Sequence, residues 1–108
     1  MSRLSDVIGR LAATIESRRG ADPASSWSAK LLADPALAAK KLAEEAVETA
    51  LAAVQGDQDA VAAESADLIY HWLVLLAAQG VSLDDVAAKL EAREGTSGVS
   101  EKASRPSS

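Results

Sequence analysis

Cysteine is absent from these 108 residues, which excludes disulfides and thiolate zinc sites. A single histidine, His71, excludes multi-histidine metal centres. Aromatic residues make up only 3% of the chain, so stacking and ring packing rest on Trp27, Tyr70 and Trp72. All three are packing residues first and base-stacking residues second. No G-x-x-x-x-G-K-[ST] loop and no G-x-G-x-x-G turn occurs. There is no Ser/His/Asp arrangement with supporting context. The N-terminal stretch has no long apolar run and no signal-peptide cleavage pattern. The apolar run Ile69–Ala78 is shorter than the ~20 residues a bilayer span needs. These absences predict a cytoplasmic, soluble protein with no membrane partner. The formal net charge of −5 argues against nucleic-acid backbone binding as the main task. It leaves room for a nucleotide, because a bound cation can neutralise acidic residues.

The apolar share is 48%, much of it alanine. Alanine with few β-branched runs favours helix. Small side chains also bury little area each, so subunit association is expected to supplement a modest one-domain core. Leu4, Val7, Ile8, Leu11, Ala12 and Ile15 recur at helical spacing, capped by Ser5 or Ser2, and predict a helix over 4–18. The basic pair Arg18-Arg19 suits its C-terminus. The segment GADPASS is a loop by composition, and Trp27–Leu32 is a short helical turn carrying one lysine, Lys30. Asp34-Pro35 starts a second long helix that Gly56 ends near Gln55. Asp57 caps a third, running to about Gln79 before Gly80. The second half of that helix, LIYHWLVLLAA, is apolar almost all round and predicts burial on most sides. So short a chain can barely cover it, which predicts a homodimer built on this helix. Ser82 caps a last helix with Leu83, Val86, Ala87 and Leu90 on its inner face. Residues 1–95 thus form one domain, and residues 96–108 a polar tail expected to be mobile in the free protein.

Acidic residues gather on either side of the Gly56-Asp57 break. Glu44, Glu45 and Glu48 precede it, and Glu64 and Asp67 follow it. Each set has i, i+3 spacing, so its members share a helix face. On a wheel, Lys41, Glu44, Glu45 and Glu48 occupy about a 100° arc. If the two helices fold back antiparallel, Glu48 comes level with Ser65 and Asp67 level with Ala46, bringing both sets to one height. Four or five carboxylates there would repel by about 4 kcal/mol per close pair at an effective dielectric of about 20. A cation relieves this, and carboxylate oxygens suit Mg²⁺ or Mn²⁺.

Each feature also has a plainer reading. A lone E-E-x-x-E is commonly a solvated helix face. Glu64 and Asp67 are less easily explained so, since no lysine or arginine lies within helical reach of either. His71 reads first as a polar core residue bonded to a neighbour, with metal ligation or proton transfer as the alternative. Lys40 and Lys41 are either solvated or phosphate-binding beside the acidic site. With one histidine and no cysteine, hydrolysis by this chain would be metal-assisted phosphate chemistry.

K-K-x-x-E-E-x-x-E (Lys40–Glu48), then E-x-A-D-L-x-Y-H (Glu64–His71), resembles the phosphoribosyl-ATP pyrophosphohydrolase family of histidine biosynthesis, in its stand-alone bacterial form. SWSAKLL (Ser26–Leu32) resembles the family's S-aromatic-x-x-K-L motif, with Trp27 where tyrosine is usual. The ending GTSGVSEKASR (Gly95–Arg105) resembles G-x-S-G-x-x-E-K-A-x-R, which separates the family from MazG-like relatives and dimeric dUTPases. The resemblance covers almost the whole chain. It implies an all-α antiparallel bundle of about four helices, paired across a homodimer. It implies Glu45, Glu48, Glu64 and Asp67 as ligands of one or more Mg²⁺, with Glu44 as an added candidate. It implies hydrolysis of phosphoribosyl-ATP to phosphoribosyl-AMP and pyrophosphate, with Glu44 or Glu48 acting on the water. Lys30, Lys40 and Lys41 would then offset phosphate charge, and Lys102 and Arg105 would close over the ribosyl phosphate. A functional link to a phosphoribosyl-AMP cyclohydrolase is the expected next step. The rival expectations are a nucleotide-cleansing pyrophosphohydrolase of the same superfamily and a helical interaction module without chemistry.

Overall fold

The chain's local stop and start signals cut it into helices at the expected places. The computed structural model describes residues 2–95, within which there are five helices and no strand. They are α1 (Arg3–Ser17), α2 (Trp27–Ala33), α3 (Pro35–Val54), α4 (Gln58–Gln79) and α5 (Leu83–Glu91). The count exceeds the expected four or so because the short WSAKLL turn is a full seven-residue helix.

Side chains satisfy the free amides at each helix start. The Ser2 Oγ accepts from the Ser5 N–H, and the Ser26 Oγ from the Ala29 N–H. Asp34 ends α2 and caps α3, accepting from the Leu37 N–H at 3.1 Å, with Pro35 next. Ser82 and Asp85 form a reciprocal capping box at α5. At the α3–α4 break, Gly56 adopts φ 75°, a left-handed conformation that costs a glycine nothing. The Gly56 and Asp57 amides then donate back to the Ala53 and Ala52 carbonyls, closing α3. The Asp57 carboxylate accepts from the Ala60 N–H and opens α4 at once. This turn is so tight that α3 and α4 run antiparallel, side by side.

That pair is the centre of the molecule, and α1 and α2 pack across α4, with α2 also touching α3. Ile15, Leu31, Ala38, Leu73 and Val74 form the core, ringed by half-buried residues such as Leu11, Leu37, Ile69 and Trp72. Burying a side chain of the size of Ile15, Leu31 or Val74 is worth about 2 kcal/mol. The Arg19 guanidinium pairs with Glu16 at 2.7 Å and donates to the Ala77 carbonyl at 2.8 Å, tying the end of α1 to the end of α4.

One expectation is revised here. Leu83 and Val86 of α5 are half-buried, but Ala87 and Leu90 are exposed, so the predicted inner face is only half covered. It instead borders a groove of about 460 Å³ that Leu4, Ile8 and Trp72 also line. In the apolar run Leu68–Ala78 of α4, His71, Leu73 and Val74 are buried and the other residues half-buried, with α1, α2 and α3 packed against the helix. Over its full 22 residues, with a mean hydropathy of 1.3 in its most apolar window, α4 is long and apolar enough to cross a membrane. It also carries Glu64, Asp67 and His71 along its middle, and ionisable groups are costly at the centre of a bilayer.

Candidate metal centre

Glu45 and Glu48 stand one turn apart on α3, and Glu64 reaches toward them from α4. A carboxylate oxygen from each lies within 4.8 Å of the other two. Glu48 is exposed at the rim, while Glu45 and Glu64 are half-buried between the helices.

Among the described residues no lysine or arginine forms an ion pair with Glu45, Glu48 or Glu64. Glu45 Oε2 and Glu64 Oε2 are buried without a hydrogen-bond partner. Ionised carboxylates have only lone pairs to offer, so three of them cannot satisfy one another. One shared proton eases this. A bond between the Glu48 and Glu64 carboxyls, then burial, then the Glu48 charge push the Glu64 carboxyl up to about 7. The Glu45 carboxyl is also raised, first by burial, then by the charge of Glu48 and a bond to it, and then by the charge of Asp67; a bond to Glu64 pulls the other way.

A donor set made only of carboxylate oxygens, two of them buried and unpartnered, fits a hard divalent cation such as Mg²⁺ or Mn²⁺. Three of the four predicted ligands meet in this group. Asp67 does not: its side chain is exposed, close enough for its charge to act on Glu45 but outside the tight set. The Asp67 backbone carbonyl accepts from the His71 Nδ1–H at 2.8 Å. His71 is therefore a core residue bonded one turn back on its own helix, and its buried Nε2 is left without a partner.

Glu44 points elsewhere. It accepts from the Lys41 Nζ at 3.2 Å. With Ala43, Val47 and Glu48 it lines an open groove of about 380 Å³. Glu48 thus borders both the carboxylate group and this groove. Lys30 and Lys41 converge on Trp27, at 5.6 and 6.0 Å from the ring centroid. Lys40 is exposed and makes no ion pair among the described residues. Lys102 and Arg105 lie outside the described residues.

Two features escaped the sequence reading. The Ser28 and Tyr70 hydroxyls share a hydrogen bond of 2.6 Å that joins α2 to α4, across 42 residues of sequence. Trp27 gathers two lysines. The Trp27–Lys30 half of that arrangement is an i, i+3 pair and was legible; the Lys41 half crosses between helices and was not.

Fold and site define a class of protein: helical throughout the described residues, with one antiparallel helix pair that brings carboxylates from both helices into one close group. Within that class the chain belongs to the phosphoribosyl-ATP pyrophosphohydrolase family, whose model matches residues 8–94. A phosphoribosyl-ATP pyrophosphatase of Caulobacter vibrioides (strain NA1000 / CB15N) is 74% identical over 103 residues, covering 95% of this chain and 96% of the relative. Another, from Caulobacter sp. (strain K31), is 71% identical over 107 residues, covering 99% of this chain and all of the relative. One from Cereibacter sphaeroides (strain KD131 / KCTC 12085) is 59% identical over 100 residues, covering 92% and 97%. The chain is accordingly an enzyme, a hydrolase.

Proposed function

We propose that this hydrolase cleaves phosphoribosyl-ATP to phosphoribosyl-AMP and pyrophosphate with the help of Mg²⁺, or Mn²⁺ in its place, as the second step of histidine biosynthesis. The observation that carries the reading is the meeting of Glu45, Glu48 and Glu64 within 4.8 Å, with two buried oxygens that have no donor, in a chain of this family. Those three residues, with Asp67 beside Glu45, would hold the cation. When bound, it supplies positive charge to the departing pyrophosphate.

The chain's own groups divide the remaining work. A water oxygen attacks the α-phosphorus, and the bond from that phosphorus to the α,β-bridging oxygen breaks. Glu48, exposed and bordering the groove, is suited to orient that water and take its proton; Glu44, lining the same groove, is the alternative acceptor. Lys30 on α2 and Lys40 and Lys41 on α3 offset phosphate charge. Lys102 and Arg105, which lie outside the described residues, would take the ribosyl phosphate, as the resemblance to the family implies. The enzyme works in the cytoplasm as a homodimer and passes its product to a phosphoribosyl-AMP cyclohydrolase. Support for the dimer comes from α3, where Val47, Leu51 and Val54 are all exposed in the single chain.

The test is a turnover assay with Mg²⁺ on phosphoribosyl-ATP beside dCTP and dUTP. Turnover of phosphoribosyl-ATP is expected. Strong turnover of dCTP or dUTP with none of phosphoribosyl-ATP would instead mark a nucleotide-cleansing enzyme. Glu48→Gln and Glu64→Gln are each expected to lower turnover by about 100-fold or more while the fold survives. Unchanged activity in both would remove the carboxylate pocket from the reaction.

A further inference from the structure

Trp27 opens α2 and is 43% exposed, an unusual position for so large an apolar side chain. Its surroundings supply a reason. The Lys30 Nζ lies 5.6 Å from the ring centroid and the Lys41 Nζ 6.0 Å, one from α2 and one from α3. Two ammonium groups beside one indole raise the local positive charge, which an attraction to the ring offsets. The negative face of the ring provides that. Glu44 compensates only Lys41, at 3.2 Å, while Lys30 has no carboxylate within salt-bridge distance among the described residues. The assembly thus carries uncompensated positive charge.

Its location is fixed relative to the carboxylate group. Lys41 precedes Glu44 by three residues and Glu45 by four, about one helical turn or 5–6 Å along α3. The hydrogen bond between Ser28 and Tyr70 locks α2 onto α4, the helix that carries Glu64. Lys41 and the carboxylate residues Glu45 and Glu48 thus share α3, with Lys41 about one to two turns before them.

We propose that Trp27 is a positioning residue that holds Lys30 and Lys41 as a clamp for the β- and γ-phosphates, the part of the substrate that departs as pyrophosphate. The inference deepens the function proposed above and rests on it for the identity of the substrate. The indole does not touch the anion's charge; it presets two flexible cations so that less freedom is lost on binding.

The experiment uses the full-length chain and inorganic pyrophosphate with saturating Mg²⁺, titrated by calorimetry. Trp27→Leu keeps the bulk and removes the ring's negative face, and Trp27→Tyr keeps a face. Trp27→Leu and Lys30→Gln are each expected to weaken pyrophosphate binding about tenfold, and Trp27→Tyr by less than about threefold. Thermal midpoints of all three are expected to match the parent, because the ring is half exposed. Equal affinity in Trp27→Leu and the parent overturns the clamp, as does equal weakening in Trp27→Tyr and Trp27→Leu, which would make the ring a spacer. Turnover of phosphoribosyl-ATP is measured alongside on the parent. Absence of that turnover with the Tyr/Leu difference intact would remove the proposed substrate and leave the clamp standing.

Discussion

Glu64 on α4 meets Glu48 on α3 across the helix pair, and the bond between their carboxyls holds Glu64 up at about 7. A carboxylic acid of this kind is stabilised when protonated, and its ionisation near neutrality works against the metal-free fold.

The first consequence is a pH dependence opposite to that of ordinary paired acids. The Glu64 carboxyl titrates near 7 in the folded chain and near its ordinary 4.5 when unfolded. Between these values the folded state binds more protons, so stability falls as pH rises through that window and levels off above it. Glu45, also raised, adds to the same trend. Thermal melts of the metal-free chain in a chelator, at pH 5, 6, 7 and 8, should show a falling midpoint. Glu64→Gln should flatten the series and melt higher than the parent at pH 8. A midpoint that rises from pH 5 to 8 would show the carboxylates to be unstrained.

Protons and divalent ions should compete at this site. Mg²⁺ binding is expected to be weaker at pH 6 than at pH 8, since the proton on Glu64 must leave first. Calorimetric titration near pH 6.5, in two buffers of different ionisation enthalpy, should reveal proton release into the buffer. The same titration on Glu64→Gln should reveal less. Identical apparent enthalpies in both buffers for the parent would contradict the exchange.

Tyr70 is held by Ser28 at 2.6 Å, the one side-chain hydrogen bond that fastens α2 to α4 among the described residues. Tyr70→Phe removes that bond and leaves the Ser28 hydroxyl half-buried. A loss of about 1 kcal/mol in urea unfolding is expected. Because α2 carries Trp27 and Lys30, the same variant should also bind pyrophosphate more weakly than the parent.

The apolar residues left bare on α3 address assembly. Val47, Leu51 and Val54 are exposed in the single chain, Val54 by 84%. Leu51→Asp places a charge in this stripe and is expected to shift the proposed dimer toward monomer in sedimentation velocity at micromolar concentration. A dimer unaffected by Leu51→Asp would direct attention to the groove between α1 and α5, bordered by Leu4 and Leu90.

Much of this molecule is legible residue by residue because its signals are local. Asp34-Pro35, Gly56-Asp57 and Ser82 with Asp85 set helix boundaries through bonds made within three or four residues, so composition alone locates them. The meeting of Glu48 with Glu64 was also foreseeable, since a tight break leaves an antiparallel pair almost no choice of register. Periodicity then identifies which residues share a face of one helix. It does not say how far that helix rotates about its axis, nor which neighbour covers it. Those are decided by packing, as leucine, isoleucine and aromatic side chains from distant segments close around Ile15, Leu31 and Val74. Packing turned Asp67 outward while drawing Glu45 in, left half of α5 uncovered, and carried Lys41 to Trp27 from another helix. Helix positions and the gathering of acids were written in the chain, while the membership of the carboxylate group and the lysine pair on Trp27 came from tertiary contacts that no short stretch of sequence encodes.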